Sequence, residues 1–131
     1  ETSEGIRSYK IAGKHRHVPE IEQLLGFPVA LTPHLLPIRR GLVATCYVRS
    51  LGADLRELLA EHYAGSRVVT VLPEGVAPEV ARVQGTDGAE IGVFQDGFTD
   101  TTIVICAIDN LGKGASGAAV QNIGLMLGVE T

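Results

Sequence analysis

The amino-acid sequence predicts an α+β fold, with a mostly antiparallel or mixed sheet and about three helices. Strand-like apolar segments follow one another between residues 80 and 108, and Asp-Gly pairs typical of tight turns separate them. An apolar stripe with the helical period covers residues 54–63. Strands grouped together, with helices outside the group, are typical of α+β architecture. The length of 131 residues suits one core, so we predict a single domain over residues 1–131.

Composition narrows the class of protein. Hydrophobic residues make up 45% and charged residues 20%, which is typical of a globular chain. No apolar run is long enough to span a bilayer, and the N-terminus lacks the pattern of a secretory signal. We therefore expect a cytoplasmic protein in which Cys46 and Cys106 are reduced and buried. No spacing of Cys or His residues predicts a metal site.

Charge is unevenly distributed along the chain. The net charge is −4, which argues against nucleic acid as the main partner. Residues 1–40 carry six Lys or Arg against four Asp or Glu, whereas residues 41–131 carry five against eleven. We therefore expect an anionic small molecule as the partner of the N-terminal part.

The N-terminal part predicts two extended segments and one helix. Residues 6–12 alternate weakly between apolar and polar side chains, which predicts an extended entry segment. Pro19 suits the first position of a helix, and Gly26 suits the residue after its end, so we predict a helix over residues 19–25. Residues 27–32 predict a strand that ends at a proline.

The middle of the chain predicts two strands with a helix between them. Residues 40–50 alternate strictly and predict a strand that carries Cys46 on its core side, where a thiol is poorly reactive. Residues 54–63 predict an amphipathic helix with His62 at the edge of the core. Residues 67–72 predict a further strand.

Three strands and a final helix are predicted for the C-terminal part. The strands are predicted over residues 80–84, 89–94 and 101–108, with hairpin turns at Asp87-Gly88 and Asp96-Gly97. The third strand is apolar on both faces, which predicts a central, covered strand that buries Cys106. A helix is predicted from about Gly114 to Leu127. Gly117 and Gly124 inside it indicate the close approach of another backbone or of a ligand.

The stretch from Gly13 to Gln23 is the first candidate site. His15 and His17 flank one arginine, and Glu20 follows in the first turn of the predicted helix. In extended backbone the two imidazoles point to the same side. Paired imidazoles beside a carboxylate can serve as an acid/base site. A solvated basic loop that caps a helix explains the same residues, so the spacing leaves both interpretations open.

Four segments that follow one another along the chain carry a resemblance. They are Lys14-His15-Arg16-His17-x-Pro19-Glu20-Ile21-Glu22-Gln23, Thr32-Pro33-His34-Leu35-x-Pro37-x-x-Arg40-Gly41, Leu72-Pro73-Glu74-Gly75, and Ala107-Ile108-Asp109-Asn110-Leu111-x-Lys113-Gly114-Ala115-x-Gly117-x-Ala119-Val120-Gln121-Asn122. Together they resemble the C-terminal catalytic and dimerisation domain of the N-acetyl-gamma-glutamyl-phosphate reductase family. The resemblance covers nearly the whole chain.

This resemblance implies an NADP-dependent enzyme of arginine biosynthesis, which converts N-acetyl-glutamyl 5-phosphate to N-acetylglutamate 5-semialdehyde. The implied mechanism uses a cysteine thiolate that attacks the acyl phosphate, a histidine acid/base, and hydride delivery from NADPH. The family's cysteine and its nucleotide-binding unit precede this domain, so we expect the chain to be a fragment without the nucleophile. Cys46 matches a structural strand of the family, and we do not assign it as the nucleophile.

The resemblance also implies roles for the residues of the first candidate site. His15 and His17 match the family's histidine pair, and one of them is implied as the acid/base. We favour His17 because it lies nearer the positive end of the predicted helix, which keeps an imidazole neutral. His15 would then bind the substrate, and the exchanged assignment remains open. Glu20 would orient whichever histidine it reaches.

Contacts to substrate and cofactor are implied at six further positions. Arg40, Lys14 and Arg16 are the substrate-binding candidates, because these cations suit carboxylate or phosphate groups. Pairing of Arg40 with a nearby carboxylate is the alternative. Asn110, Lys113 and Gly114 are implied near the nicotinamide end of the cofactor. Asp87 replaces a family asparagine, which leaves the contacts of its loop open.

Two other functions are compatible with the sequence. One is a non-catalytic association module, and the other is a lysine-pathway acyl-phosphate reductase. The resemblance also implies the fold of the C-terminal domain of the glyceraldehyde-3-phosphate/aspartate-semialdehyde dehydrogenase superfamily. Domains of that superfamily pair through broad sheets, so the resemblance implies a homodimer or a homotetramer. If the chain belongs to either reductase, its expected partner is a small acyl phosphate substrate. We expect it to bind neither nucleic acid nor a membrane.

Overall fold

The computed structural model describes residues 4–49 and 53–129. The chain divides into two compact units, and the boundary falls between Arg39 and Arg40. The first unit contains β1 (Arg7–Ser8), α1 (His17–Leu25) and β2 (His34–Leu35). The second contains β3 (Leu42–Arg49), α2 (Leu55–His62), β4 (Val69–Val71), α3 (Val80–Val83), β5 (Ala89–Asp96), β6 (Thr101–Ile108) and α4 (Gly117–Leu127). The extent of the domain over residues 1–131 stays a prediction.

Helix α1 begins earlier than its proline suggested. It starts at His17, two residues before Pro19, and ends at Leu25, with Gly26 as the cap residue after it. The φ of 77° at Gly26 is left-handed and confirms the predicted glycine cap. The carboxylate of Glu22 accepts a hydrogen bond from the N–H of Val29 at 3.0 Å, which holds the chain beyond the helix.

The extended segments of the first unit are shorter than predicted. Within residues 6–12 only Arg7–Ser8 forms a strand, and it pairs antiparallel with His34–Leu35. The strand predicted over residues 27–32 is wrong, since these residues form no strand. Pro28 lacks a backbone N–H and so removes a donor from residues 27–32. Strand β1 pairs with His34–Leu35 instead.

The second unit is built on a mixed sheet with strand order β3-β6-β5-β4. Strand β6 is antiparallel to both of its neighbours, β3 and β5, whereas β4 is parallel to β5. The sheet and the three longer helices α1, α2 and α4 confirm the predicted fold class. The central position predicted for β6 is also confirmed.

The hairpin between β5 and β6 confirms one of the two predicted turns. The carboxylate of Asp96 accepts hydrogen bonds from the hydroxyl of Thr99 at 2.7 Å and from the N–H of Phe98 at 2.9 Å. These bonds lower the pKa of Asp96, because they favour its charged form. The hairpin predicted at Asp87-Gly88 is wrong, since this pair joins α3 to β5.

The strand predicted over residues 80–84 is instead the short helix α3. Val80 and Val83 lie three residues apart and therefore share a helix face, and Val83 is only 4% exposed. Arg82 pairs with Glu90 of β5 at 2.8 Å, which ties the helix to the sheet. The three-residue spacing of the two valines fits the period of a helix and not the two-residue alternation of a strand.

Strand β3 lies within the predicted range of residues 40–50, of which residue 50 is outside the described part of the chain, but its predicted burial is wrong. It is an edge strand, and all eight of its residues are exposed. The thiol of Cys46 is therefore exposed, not in the core. Cys106 on the central β6 is half-buried, and burial together with nearby Cys46 raises the pKa of its thiol. Alternation identifies the residues of one face, but it does not reveal whether another element covers that face.

The remaining helices agree with the sequence in outline. Helix α2 is capped by Asp54, whose carboxylate accepts a hydrogen bond from the N–H of Glu57 at 3.0 Å. His62, expected at the edge of the core, is exposed and packs edge-on against the ring of Tyr63. A π-helical turn at Gly112–Ser116 leads into α4.

Gly117 has the close contact that its position inside a helix predicted. A Cβ added at Gly117 would lie 2.8 Å from the Cβ of Asp87, so no larger side chain fits there without a shift. Gly124 is buried within α4. The C-terminal end of α4 is exposed, including Leu125, Met126 and Leu127.

Candidate active site

His15 lies at the centre of the first candidate site and is only 9% exposed. Its Nδ1 accepts a hydrogen bond from the backbone N–H of His17 at 3.2 Å. Its Nε2 lies 3.3 Å from the hydroxyl oxygen of Tyr9. The rings of Tyr9 and His17 both pack edge-on against the imidazole of His15, with centroid distances of 5.5 and 4.7 Å. Both nitrogens of His15 therefore have partners within this cluster.

The hydrogen bonds assign the neutral tautomer of His15. A backbone N–H can only donate, so Nδ1 is unprotonated and the ring proton lies on Nε2, facing Tyr9. Burial lowers the pKa of His15, and the positive charges of His17, Lys10 and Arg16 lower it further. Glu20 opposes this shift only weakly. His15 is therefore neutral at pH 7.

His17 is the available imidazole of the pair. It is the first residue of α1, and its side chain is exposed. Its backbone N–H is used by His15, but within residues 4–49 and 53–129 no group hydrogen-bonds to its ring. The helix start lacks a side-chain cap from Arg16, and the carbonyl of His15 accepts the N–H of Val18 at 3.0 Å instead. His15 thus anchors the turn from which His17 projects.

The other residues predicted for this site are exposed. Lys14 and Arg16 lie before the helix, and Glu20 lies in its first turn, where the helix dipole favours a carboxylate. None of these three side chains forms an ion pair in the described part of the chain. Glu20 acts on His15 through its charge, and no hydrogen bond joins it to either histidine there.

The second unit contains a buried carboxylate that sequence reasoning missed as a site residue. Asp109 follows β6 and is 0% exposed. Its Oδ2 accepts a hydrogen bond from the N–H of Gly85 at 2.5 Å and pairs with Arg40 at 2.7 Å. Its Oδ1 accepts from the N–H groups of Leu111 at 2.9 Å and Gly112 at 3.1 Å. Asp109 thereby joins three loops of this unit.

Those donors decide the charge state of Asp109. Burial alone would raise its pKa, but the N–H of Gly85, the guanidinium of Arg40 and the N–H groups of Leu111 and Gly112 outweigh it. The pKa of Asp109 therefore lies well below its usual range. The sequence signal for this role was an Asp directly after an apolar strand and shortly before a glycine, which is typical of turn-forming aspartates.

Arg40 pairs with the carboxylate of Asp109, which is the alternative that the sequence left open. Its side chain is 35% exposed, and its Nη2 lies 2.7 Å from Oδ2 of Asp109. Its Nε is buried and has no hydrogen-bond partner among the described residues. The adjacent N–H of Gly41 donates to Oδ1 of Asn110 at 2.6 Å. Arg40 and Asn110 thus lie in one hydrogen-bonded region, and the contact of Arg40 with substrate stays a prediction.

Lys113 is also engaged within the second unit. Its ammonium donates to Oε1 of Gln121 at 2.6 Å, and Nε2 of Gln121 donates to Oδ2 of Asp87 at 2.9 Å. Gly114 is exposed next to this chain of hydrogen bonds. The structure therefore groups Arg40, Asn110, Lys113 and Gly114 in the second unit, whereas the histidines belong to the first.

Gly112 allows the loop of the second unit to pack tightly. A Cβ at this position would overlap the carbonyl oxygen of Thr86 and approach the Cβ of Asp109 at 3.3 Å. We expect Gly112→Ala to lower the free energy of unfolding by about 1–3 kcal/mol, because a backbone oxygen cannot move aside. Denaturant unfolding measures this change. Gly97→Ala is the control, since its Cβ would meet no atom within 4 Å, and equal stabilities of the two variants would contradict the prediction.

Two features are absent from the described residues. No three His, Cys, Asp or Glu side chains are grouped in a way that could hold a metal ion. None of the helices in this part of the chain combines the length and the apolar character needed to cross a membrane.

Comparison with known proteins agrees with the fold and with the motifs. Residues 1–110 match the family described as the semialdehyde dehydrogenase dimerisation domain. The N-acetyl-gamma-glutamyl-phosphate reductases of Geobacter sp. (strain M21) and Citrifermentans bemidjiense are each 49% identical to the chain over 139 residues. Each match covers 98% of this chain and 40% of the relative, so the chain spans about two fifths of their length.

A solved structure supports the fold independently. Aspartate semialdehyde dehydrogenase II from Vibrio cholerae matches with a TM-score of 0.66 and 22% sequence identity, over 84% of this chain and 35% of that one. The fold is therefore that of a semialdehyde dehydrogenase domain. With the match over residues 1–110, the chain belongs to the semialdehyde dehydrogenase dimerisation domain family, as its motifs predicted.

Proposed function

We propose that this chain provides the acid/base part of a reductase that converts N-acetyl-glutamyl 5-phosphate to N-acetylglutamate 5-semialdehyde. The observation that carries the proposal is the exposed imidazole of His17, held against the buried and neutral His15. An exposed imidazole at a helix start can exchange protons with a bound group. The names of the relatives, at 49% identity over nearly the whole chain, support the choice of substrate.

His17 is proposed to accept the proton of a cysteine thiol that another part of the protein supplies. The thiolate attacks the carbonyl carbon of the acyl phosphate, the bond from that carbon to the phosphate oxygen breaks, and inorganic phosphate leaves. A bound nicotinamide cofactor supplies hydride to the thioester. Protonated His17 donates its proton to the developing hemithioacetal oxygen and recovers it when the aldehyde and the thiolate separate. Cys46 is not assigned to this step.

The anionic groups of the substrate are proposed to contact Lys14 and Arg16, which flank the histidines and form no ion pair within the described residues. Arg40 is proposed as a further contact, since its side chain is 35% exposed although it pairs with Asp109. Glu20 is proposed to stabilise the positive charge that His17 gains during proton transfer. An anionic substrate fits the positive balance of residues 1–40.

NADP is proposed as the cofactor, with most of its contacts outside this chain. Asn110 and Gly114 are exposed and polar or small, which fits an approach by the amide end of a nicotinamide. Lys113 can join them only if it exchanges its hydrogen bond to Gln121. These three residues would hold the nicotinamide end in position and leave hydride chemistry to the cofactor.

A homodimer or homotetramer in the cytoplasm is proposed as the working form. The exposed strand β3 presents apolar side chains on a broad sheet, and the family description names dimerisation. Leu42, Val43 and Tyr47 are 44%, 51% and 72% exposed, which is unusual for a strand that remains in water.

The test is an assay of the intact protein, expressed from its complete reading frame. We expect oxidation of NADPH that depends on N-acetyl-glutamyl 5-phosphate and releases one phosphate per NADPH consumed. A carrier-linked acyl phosphate of the lysine pathway is the competing substrate, and a preference for it would overturn the assignment. Self-association without either activity, measured by light scattering, would favour the association module.

A further inference from the structure

We propose that Tyr9 is a positioning residue, which accepts the Nε2–H of His15, holds that ring in place and thereby maintains the orientation of His17. This inference rests on the proposed function where it concerns turnover, whereas its structural part stands on the cluster itself. Tyr9 belongs to none of the segments that carry the family resemblance. The cluster of Tyr9, His15 and His17 lies wholly within the first unit.

Tyr9 is held by backbone before it contacts any histidine. It follows strand β1 directly, and its N–H donates to the carbonyl of Pro33 at 3.1 Å, which extends the pairing of β1 with β2. Its side chain is half-buried. The backbone of Tyr9 is therefore held beside β1, and from this position its hydroxyl oxygen reaches Nε2 of His15.

The segment between Tyr9 and His15 adopts an unusual backbone. Lys10 and Ala12 have φ values of 48° and 59°, and Gly13 has 77°. Residues other than glycine rarely adopt this left-handed conformation, and such strain persists only where surrounding contacts enforce it. Here the turn returns the chain so that the imidazole of His15 meets the phenol ring six residues earlier. The cluster explains why the conformation is maintained.

Tyr9 is the partner of the ring proton whose place the N–H of His17 decides. That N–H can only donate, so Nδ1 of His15 is the acceptor, the proton lies on Nε2, and the phenol oxygen accepts it. If the proton moved to Nδ1, it would face the N–H of His17, and two donors would then meet. The N–H of His17, the first residue of α1, would lose its acceptor, and the ring of His17 would lose its edge-on contact with His15.

The charges around the cluster support a neutral His15. Besides Tyr9 and His17, the charged groups that act on His15 are Lys10 and Arg16, which lower its pKa, and Glu20, which raises it. A second positive charge at His15 would oppose the proton that His17 must gain during catalysis. A neutral His15 therefore allows His17 to accept a proton.

The test replaces Tyr9 by phenylalanine in the intact protein labelled with nitrogen-15 histidine. In the unchanged protein at pH 7 we expect the long-range spectrum to report the His15 proton on Nε2, and ring-to-ring Overhauser contacts to join His15 and His17. In Tyr9→Phe we expect the contacts between the rings of His15 and His17 to weaken, because the Nε2–H of His15 loses its acceptor. We expect kcat to fall about 10-fold to 100-fold while KM changes little.

Tyr63→Phe is the matched control. Tyr63 also packs edge-on against a histidine, His62, at 4.8 Å, but it lies on the second unit and outside the cluster. We expect the spectrum of His15 and kcat to stay unchanged in this variant.

A second pair of variants distinguishes the two contacts of the His15 ring. The side-chain oxygen of His15→Asn can still accept the N–H of His17, whereas the longer side chain of His15→Gln reaches only toward Tyr9. We expect His15→Asn to keep more of kcat.

Three results would overturn the proposal. The first is a proton on Nδ1, or on both nitrogens, of His15 in the unchanged protein at pH 7. The second is unaltered contacts between the rings of His15 and His17 together with unaltered kcat in Tyr9→Phe. The third is a rise in KM alone in His15→Asn, which would make His15 a substrate contact. If the unchanged protein reduces no acyl phosphate, the proposed function fails, and the spectra still decide the role of Tyr9.

Discussion

If His17 is the acid/base of the proposed reductase, its replacement by asparagine is expected to lower kcat of the intact protein by about 10²–10⁴-fold, the usual contribution of a general acid/base. Asparagine keeps polarity and similar volume, and it tolerates a helix start, so the fold should be retained. The loss should fall on proton transfer in both half-reactions, because in the proposed mechanism the same imidazole serves the thiol and the hemithioacetal oxygen. Steady-state kinetics over pH 5–9 measure kcat and KM, and we expect KM to change far less than kcat.

His62→Asn is the matched control for this substitution. His62 is likewise exposed on a helix, but it lies in α2 of the second unit. We expect its kcat to stay within about twofold of the unchanged enzyme, as for most surface substitutions. Near-normal turnover in His17→Asn, with a large loss in His15→Asn, would exchange the roles of the two histidines. Normal turnover in both would remove the acid/base assignment altogether.

The sequence predicted those elements whose signals are local. Gly26 ended α1 as expected, because a left-handed residue there favours glycine. Asp96 marked the β5–β6 turn, since its carboxylate binds backbone and hydroxyl donors within three residues. Strict alternation gave the bounds of β3 to within two residues. Each of these signals is complete within a few neighbouring residues.

The wrong predictions concern properties that depend on distant partners. Cys46 alternates with apolar residues as a core residue would, but β3 is an edge strand and its faces are exposed. Residues 27–32 have the composition of a strand and yet have no pairing strand, whereas His34–Leu35 has one. Residues 80–83 form a helix that Arg82 ties to Glu90 of β5. Such outcomes depend on which elements pack together.

The same distinction applies to the candidate site. The spacing of His15 and His17 was visible in the sequence, and their contact is local. Their unequal status was not visible, because it depends on the hydroxyl of Tyr9 and on burial. Asp109 lies within the motif at residues 107–122, but its role depends on Gly85 and Arg40, which lie far from it in sequence.

Replacement of Asp109 by asparagine is expected to destabilise the protein more than any other single substitution considered above. Oδ1 of Asp109 accepts two N–H donors, and Oδ2 accepts the N–H of Gly85 and pairs with Arg40. An amide has one oxygen, so its NH₂ group would face donors at one of these two positions, in a site that is 0% exposed. We expect the melting temperature to fall by about 10 °C or more.

Asp100→Asn is the matched control for the thermal measurement. Asp100 lies in the exposed β5–β6 turn with a φ of 51°, a conformation that asparagine also tolerates. We expect its melting temperature to change by no more than about 2 °C. If Asp109→Asn had the same melting temperature as this control, the carboxylate would be dispensable, and its buried hydrogen bonds would not hold the three loops together.

Acid should remove the contribution of Asp109 in a defined direction. Its pKa is lowered in the folded protein from an ordinary value of 3.8, because donors from three loops favour the charged form over the cost of burial. A lowered pKa gives stability that is fully present above pH 3.8 and is lost as pH falls toward the folded-state pKa. Glu90 and Asp96 also have lowered pKa values, so the unchanged protein alone cannot isolate Asp109. The difference in free energy of unfolding between it and Asp109→Asn should therefore be constant from pH 5 to 7 and shrink below pH 4, and a difference that grew with acid would contradict the assigned charge.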